Sequence, residues 1–154
     1  MTCNSWGRSV SNENWVGPFR IKDLLSASVD GRLPRPPESE SAYLVSRYAW
    51  IREPNEKCKP LYVGGTTGRS ARFRTRIGDL LADLFGFFGT ESSHHSGGRS
   101  LHQWCKENKV NPLQLYIAWV RKTRCHRCLE ISLVNKLNPS LNKKSPARCP
   151  KHIF

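Results

Sequence analysis

Apolar residues along this chain fall into two kinds of run. In the first they stand side by side: AYLVSRYAWI (42–51), LYVG (61–64) and LQLYIAWV (113–120) are apolar, aromatic and β-branched, and read as strands. REPNEK between the first two supplies turn chemistry, so they predict a hairpin. The run 113–120 is continuous, which predicts a strand buried on both faces. In the second kind, apolar positions recur every third or fourth residue. Phe73, Ile77, Leu80, Leu81 and Leu84 do so within RSARFRTRIGDLLADLFGFF, the spacing of a helix. GTESSHHSGG is a loop. SLHQWCKENK reads as a short helix ended between Lys109 and Pro112, and CLEISLVNKL as a last helix stopped by Asn138-Pro139. The order strand, strand, helix, helix, strand, helix predicts an α/β fold: a small three-stranded mixed or antiparallel sheet flanked by helices.

Residues 1–40 read as an accessory segment. GPFRIKDLLSA predicts one short helix, and the prolines of LPRPPESES break regular structure after it. The boundary near residue 40 leaves 41–154 as the main domain with a basic C-terminal tail. No internal repeat is visible.

Charge separates the two parts. Net charge is +13, yet residues 1–40 hold five basic and five acidic side chains and are neutral. Residues 41–154 hold 20 basic and seven acidic, and after Glu107 the only acidic residue is Glu130. So lopsided an excess fits a polyanion partner, of which nucleic acid is the usual one. A hydrophobic content of 38% and a mean hydropathy of −0.56 argue against both disorder and a membrane protein. No run approaches the roughly 20 apolar residues of a spanning helix. The first residues lack the apolar stretch of a signal peptide, so a cytoplasmic protein is expected. In that compartment the six cysteines are expected as thiols or metal ligands rather than disulfides.

LYVGGTTGRSARFR (61–74) combines a tyrosine, a glycine turn and closely spaced arginines. The phosphate loop of nucleoside-triphosphate enzymes needs four residues between its glycines and then Gly-Lys-Ser/Thr. Here Gly64 and Gly68 enclose three, and Arg69 replaces the lysine. The remaining reading is a turn that lets a backbone phosphate come close at Gly64, with Arg69, Arg72, Arg74 and Arg76 available to contact nucleic acid or to form a merely solvated basic helix start.

AYLV (42–45), LYVGGTTG (61–68) and Arg72 together resemble the two tyrosine motifs and the helical arginine of the GIY-YIG nucleases. Arg72 stands eight residues after Gly64, the family spacing, and CLEISLVNKLNPSLN supplies the later glutamate and asparagine as Glu130 and Asn142. The first motif departs from the family in reading Ser41-Ala42-Tyr43, the interval between the tyrosines is long, and Arg76 stands where many members have histidine or tyrosine. The resemblance spans residues 41–143 and implies a metal-dependent DNA endonuclease hydrolysing phosphodiester bonds, with Tyr43, Tyr62, Arg72, Glu130 and Asn142 as its catalytic set. A restriction- or defence-type enzyme is in keeping with a chain that carries no separate recognition domain. The other reading is a non-catalytic basic nucleic-acid-binding module with a structural zinc site.

In the nuclease reading Glu130 holds one Mg²⁺ or Mn²⁺ ion, mostly through water and phosphate oxygens. Its alternative partner is an arginine such as Arg72 in an ion pair. By helical spacing from Leu133, Val134 and Leu137, Glu130 borders a buried face. One tyrosine takes a proton from water and the other positions water or phosphate. The resemblance leaves open which, with Tyr43 slightly favoured. Asn142 fixes the loop beside Glu130 or touches phosphate, and His95 is a looser candidate in the HHSGGRSL loop. Cutting both strands requires a homodimer or two successive nicks. Separately, C-x₂-C at Cys125 and Cys128 and C-x₂-H at Cys149 and His152 have structural zinc spacing, with Cys105 as a substitute ligand.

Overall fold

The computed structural model describes residues 14–30, 41–66, 72–87, 96–121, 123, 125–142 and 149, with the side chains of 27–30, 66, 72–75 and 96 left out. In chain order the elements are β1 (Trp15–Arg20), α1 (Ile21–Asp30), β2 (Ser41–Ser46), β3 (Pro60–Thr66), α2 (Arg72–Leu84), α3 (Ser96–Asn108), β4 (Tyr116–Val120) and α4 (His126–Leu137), with single 3₁₀ turns at Glu56–Cys58 and Pro112–Gln114.

All six residues of β2 are buried, because helices cover both faces of the sheet to which it is central. Alternation sorts its side chains. Tyr43 and Val45, with Ile117 and Trp119 of β4, pack against Ile77, Leu80 and Leu84 of α2 and Leu101 and Cys105 of α3. Ala42 and Leu44, with Ala118 and Val120 of β4, pack against Leu129, Leu133 and Leu137 of α4. Those three leucines recur every fourth residue, one stripe of a helix, and all are buried. β4 is buried on both faces, as its unbroken apolar run predicts.

The sheet has four strands rather than three, in the order β1-β4-β2-β3, and every pairing is antiparallel. The added strand comes from the segment read as accessory. Gly17-Pro18 looks like a break in sequence, but a proline without an N–H is tolerated on an edge strand, and β1 is one. The ladder with β4 shifts register between Val16 and Phe19, and the helix expected over GPFRIKDLLSA begins only at Ile21. Among the described residues no helix is long and apolar enough to cross a membrane.

At the far edge, the chain leaving α4 runs back along β3. Asn138 ends the helix in the left-handed conformation at φ 46°. Ser140 N–H then donates to the Pro60 carbonyl at 3.2 Å, and Leu141 N–H to that of Leu61 at 2.8 Å. This strap satisfies backbone groups an edge strand would otherwise leave open.

Helices α2 and α3 touch where Gly98 meets the end of α2. A Cβ at Gly98 would stand 2.6 Å from Asp83 Cβ and 2.8 Å from the Leu80 carbonyl oxygen. Gly98→Ala gains at most about 1 kcal/mol in helix propensity. It forces an overlap with backbone that cannot swing aside, and overpacking costs about 1–3 kcal/mol. A net loss of about 1–2 kcal/mol is expected in urea denaturation; an unchanged midpoint would contradict this helix contact.

Candidate active site

The β2–β3 hairpin decides where the two phenols meet. Tyr43 pairs with Gly64 and Val45 with Tyr62, so the tyrosines are diagonal neighbours on one face rather than directly opposed. Their ring centroids are 6.1 Å apart, with planes tilted by 39°. Tyr43 is fully buried, while Tyr62, on the edge strand, is half-buried. A side chain at residue 64 would collide with the Tyr43 hydroxyl. The close approach that Gly64 allows is therefore that of a phenol under the strand, not the phosphate contact its turn suggests in sequence.

Glu130 arrives from the opposite face. It lies one residue beyond Leu129 on α4, just off the stripe that packs on the sheet, and its side chain is 16% exposed. Its Oε2 lies 3.3 Å from where a Cβ of Gly65 would stand. Arg127, one turn earlier, approaches that oxygen at 3.8 Å, a loose ion pair.

Burial dominates the electrostatics of all three groups. It pushes the Tyr43 phenol well above its ordinary value, with Tyr62 and Glu130 adding to the effect and Arg76 opposing it. Tyr62 is raised by burial and by Glu130, and lowered by Arg76 and by its hydrogen bond with Tyr43. The two phenols share a hydrogen bond, which raises Tyr43 and lowers Tyr62. The Glu130 carboxyl is raised by burial against the pull of Arg127, His126 and Arg76. Arg76 thus acts on both phenols and the carboxylate.

Asn142 stands at the end of the strap. Val63 N–H donates to its Oδ1 at 2.9 Å, and its Nδ2 donates to the Val63 carbonyl at 2.8 Å. The carboxamide imitates a neighbouring strand and pins β3 one residue before Gly64.

The structure therefore brings Tyr43, Tyr62 and Glu130 together and ties Asn142 to the strand between them. Arg72 is the first residue of α2, one turn before Arg76, but its side chain and that of Arg74 lie outside the described residues, as do Arg69 and His95. Arg76, expected as a nucleic-acid contact, stands four residues after Arg72 on the same helix face and acts on the two phenols and the carboxylate as well. Two contributors escaped the sequence reading. His126, buried beside Glu130, sits in the RCHRC run read only for its cysteines. Gly97 on α3 leaves room for the Tyr62 ring, a contact that no local pattern announces.

A second cluster lies at the head of α4. Cys125, Cys128 and Cys149 are buried together, their sulfurs all within 4.8 Å of one another, and could hold a metal ion such as zinc. His152 lies outside the described residues. Cys105 does not belong to this group. It faces the core between α3 and the sheet, where burial pushes its thiol up to about 11, so it is no substitute ligand.

The raised Glu130 carboxyl has a measurable cost. The folded state holds that proton more tightly than the unfolded chain, so this group's contribution to stability falls as pH rises through and above the ordinary carboxyl range. Glu130→Gln is expected to raise Tm by a few degrees at pH 7 without added divalent metal, and the gain should shrink towards zero as pH is lowered to about 4. Thermal melts across pH check this; a destabilised variant at neutral pH would overturn it.

A scan of family models, a search among curated proteins and a search among solved structures each found no match to this chain, so the reading of the site stands on its own geometry.

Proposed function

We propose that this chain is a metal-dependent DNA endonuclease of the GIY-YIG type, hydrolysing a phosphodiester at the Gly64-Gly65 end of β3. The observation that carries the reading is the meeting of two phenols, one desolvated carboxylate and one guanidinium around that strand end, in a chain of net charge +13.

Hydrolysis requires a water made nucleophilic, charge neutralised on the phosphate and the leaving oxygen stabilised. Tyr62 is the phenol placed to take the proton of water at its hydroxyl oxygen. It is the more accessible of the two, and its hydrogen bond with Tyr43 and the nearby Arg76 both favour its ionised form. Tyr43 has no exposed surface and acts through Tyr62 as a positioning residue. That reverses the slight preference for Tyr43 as base. Arg76 favours the ionised forms at the site and is the cation available to share phosphate charge, while Arg69, Arg72 and Arg74 stay as the expected nucleic-acid contacts of this reading. Asn142 acts by holding β3.

Glu130 fits one Mg²⁺ or Mn²⁺ ion, because Arg127, His126 and Arg76 leave its carboxylate under-compensated against burial. Such an ion supplies Lewis-acid polarisation of the phosphate and eases deprotonation of water. With a single carboxylate, its other positions go to water and phosphate oxygens. Zinc held by the thiol trio is structural in this reading, since a closed thiolate site leaves no position for substrate.

The competing reading, a non-catalytic nucleic-acid-binding module, is favoured by one observation: a buried tyrosine and a carboxylate paired with Arg127 are also ordinary structural features. Plasmid cleavage separates the two. With Mg²⁺ the protein is expected to nick supercoiled DNA, Glu130→Ala to lower the rate by at least about 100-fold, and Tyr62→Phe to cost about 10²–10³. Tyr43→Phe should cost less than Tyr62→Phe. Linear product without accumulated nicked circles would indicate the homodimer that paired cuts require. Salt-dependent binding with no strand breaks at any metal concentration, or cleavage indifferent to Glu130→Ala, sinks the enzyme reading.

A further inference from the structure

The buried cluster at the head of α4 is poorly explained as hydrophobic packing. It consists of three cysteines, Cys125, Cys128 and Cys149, against which, among the described residues, the partly buried Ile131 packs. Cys149 lies 24 residues from Cys125 along the chain, and bringing it back carries a loop-closure cost that three thiols and one isoleucine offset poorly. Yet the cysteines are 4%, 9% and 6% exposed, and all three sulfurs converge on one point.

That point has the dimensions of a metal site. The Cys125 and Cys149 sulfurs are 3.4 Å apart, and all three lie within 4.8 Å of one another. Sulfurs at about 2.3 Å from a tetrahedral zinc are spaced by about 3.8 Å, inside that range. Cys125 is the N-cap of α4, and its sulfur faces both Cys128 and Cys149. Cys128 follows one turn later on the same helix, which is how C-x₂-C presents two sulfurs to one ion. Thiolates are soft ligands, which excludes Mg²⁺ and Ca²⁺ as occupants and suits zinc. Burial of all three leaves no water-filled position, the character of a structural ion rather than a catalytic one.

We propose that Cys125, Cys128 and Cys149 bind one structural zinc ion that ties the C-terminal tail to the head of α4. The sequence offers His152 as a fourth ligand, at the same spacing after Cys149 as Cys128 after Cys125; its position lies outside the described residues. Binding replaces three S–H bonds by Zn–S bonds and releases the protons to solvent. This ion is distinct from any held at Glu130, and the proposal does not rest on the nuclease reading.

The test is metal content of the full chain, purified under reduction and without chelator. About one zinc per chain is expected by elemental analysis, released when a mercurial blocks the thiols. Cys128→Ser and Cys149→Ser should each retain less than about a tenth of it, while Cys105→Ala, in the other core, keeps it. Because the cysteine variants risk misfolding, Co²⁺ titration of the metal-free wild-type chain provides an independent reading. It should give intense tetrahedral ligand-field bands and a thiolate charge-transfer band at one equivalent, and His152→Ala should shift the former while keeping the latter. Zinc-free protein that shows no such bands, iron in place of zinc, a Cys125–Cys149 disulfide in the reduced preparation, or full zinc in Cys128→Ser would each overturn the proposal.

Discussion

Strand β3 ends in Gly64 and Gly65, and the two faces of its backbone are occupied by different chemistry. On one face the Tyr43 hydroxyl fills the place of a side chain at residue 64; on the other Glu130 stands against the missing side chain at 65. Only the thickness of a bare strand separates phenol from carboxylate, and Glu130 raises the pKa of both phenols. A bare strand is also a weak one, since glycine loses more conformational freedom on ordering than any other residue. The strap from Ser140 to Asn142 offsets this. Its backbone and the Asn142 carboxamide bond to β3 at Pro60, Leu61 and Val63, up to the residue before the glycines.

The groups at this strand end are held at some expense to the fold. Two phenols and a carboxyl are all raised chiefly by burial, so in each case the ionised form is the disfavoured one. A site of that kind is short of positive charge. Arg76 supplies some of it, and the divalent metal ion proposed at Glu130 would supply more. Perturbed groups gathered in one place also occur in structural networks, so the geometry around the strand end, rather than the shifts alone, supports the catalytic reading.

Helix α4 links the parts. Leu129, Leu133 and Leu137 seat it on the sheet, which sets the direction of Glu130. Its first turn bears two of the clustered cysteines, and its left-handed end at Asn138 turns the chain back along β3. One helix thus orients the carboxylate and launches the strap. Displacement at its head would move Glu130, two residues after Cys128, more directly than it would the tyrosines on the sheet.

Much of the fold was legible because its signals are local. The apolar runs, the spacing of Phe73 to Leu84 and the Asn138-Pro139 stop are properties of neighbouring residues, and from β2 to α4 the elements follow the order they predict. The resemblance in motif order pointed to Tyr43, Tyr62, Glu130 and Asn142, and residue spacing pointed to the cysteines. Long-range contact decided the rest. Gly17-Pro18 reads as a break until β4 offers an edge to pair with, and a fourth strand results. Tyr43 and Tyr62 are equivalent phenols in sequence; only their places on a central and an edge strand leave one fully buried and the other more accessible. Arg76 became the cation common to the site because a helix turn carries it over the sheet, and Cys105 left the thiol set because α3 aims it into a different core. Local pattern specifies what each segment can form; which side chains meet depends on packing between segments distant in the chain, and no local pattern contains that.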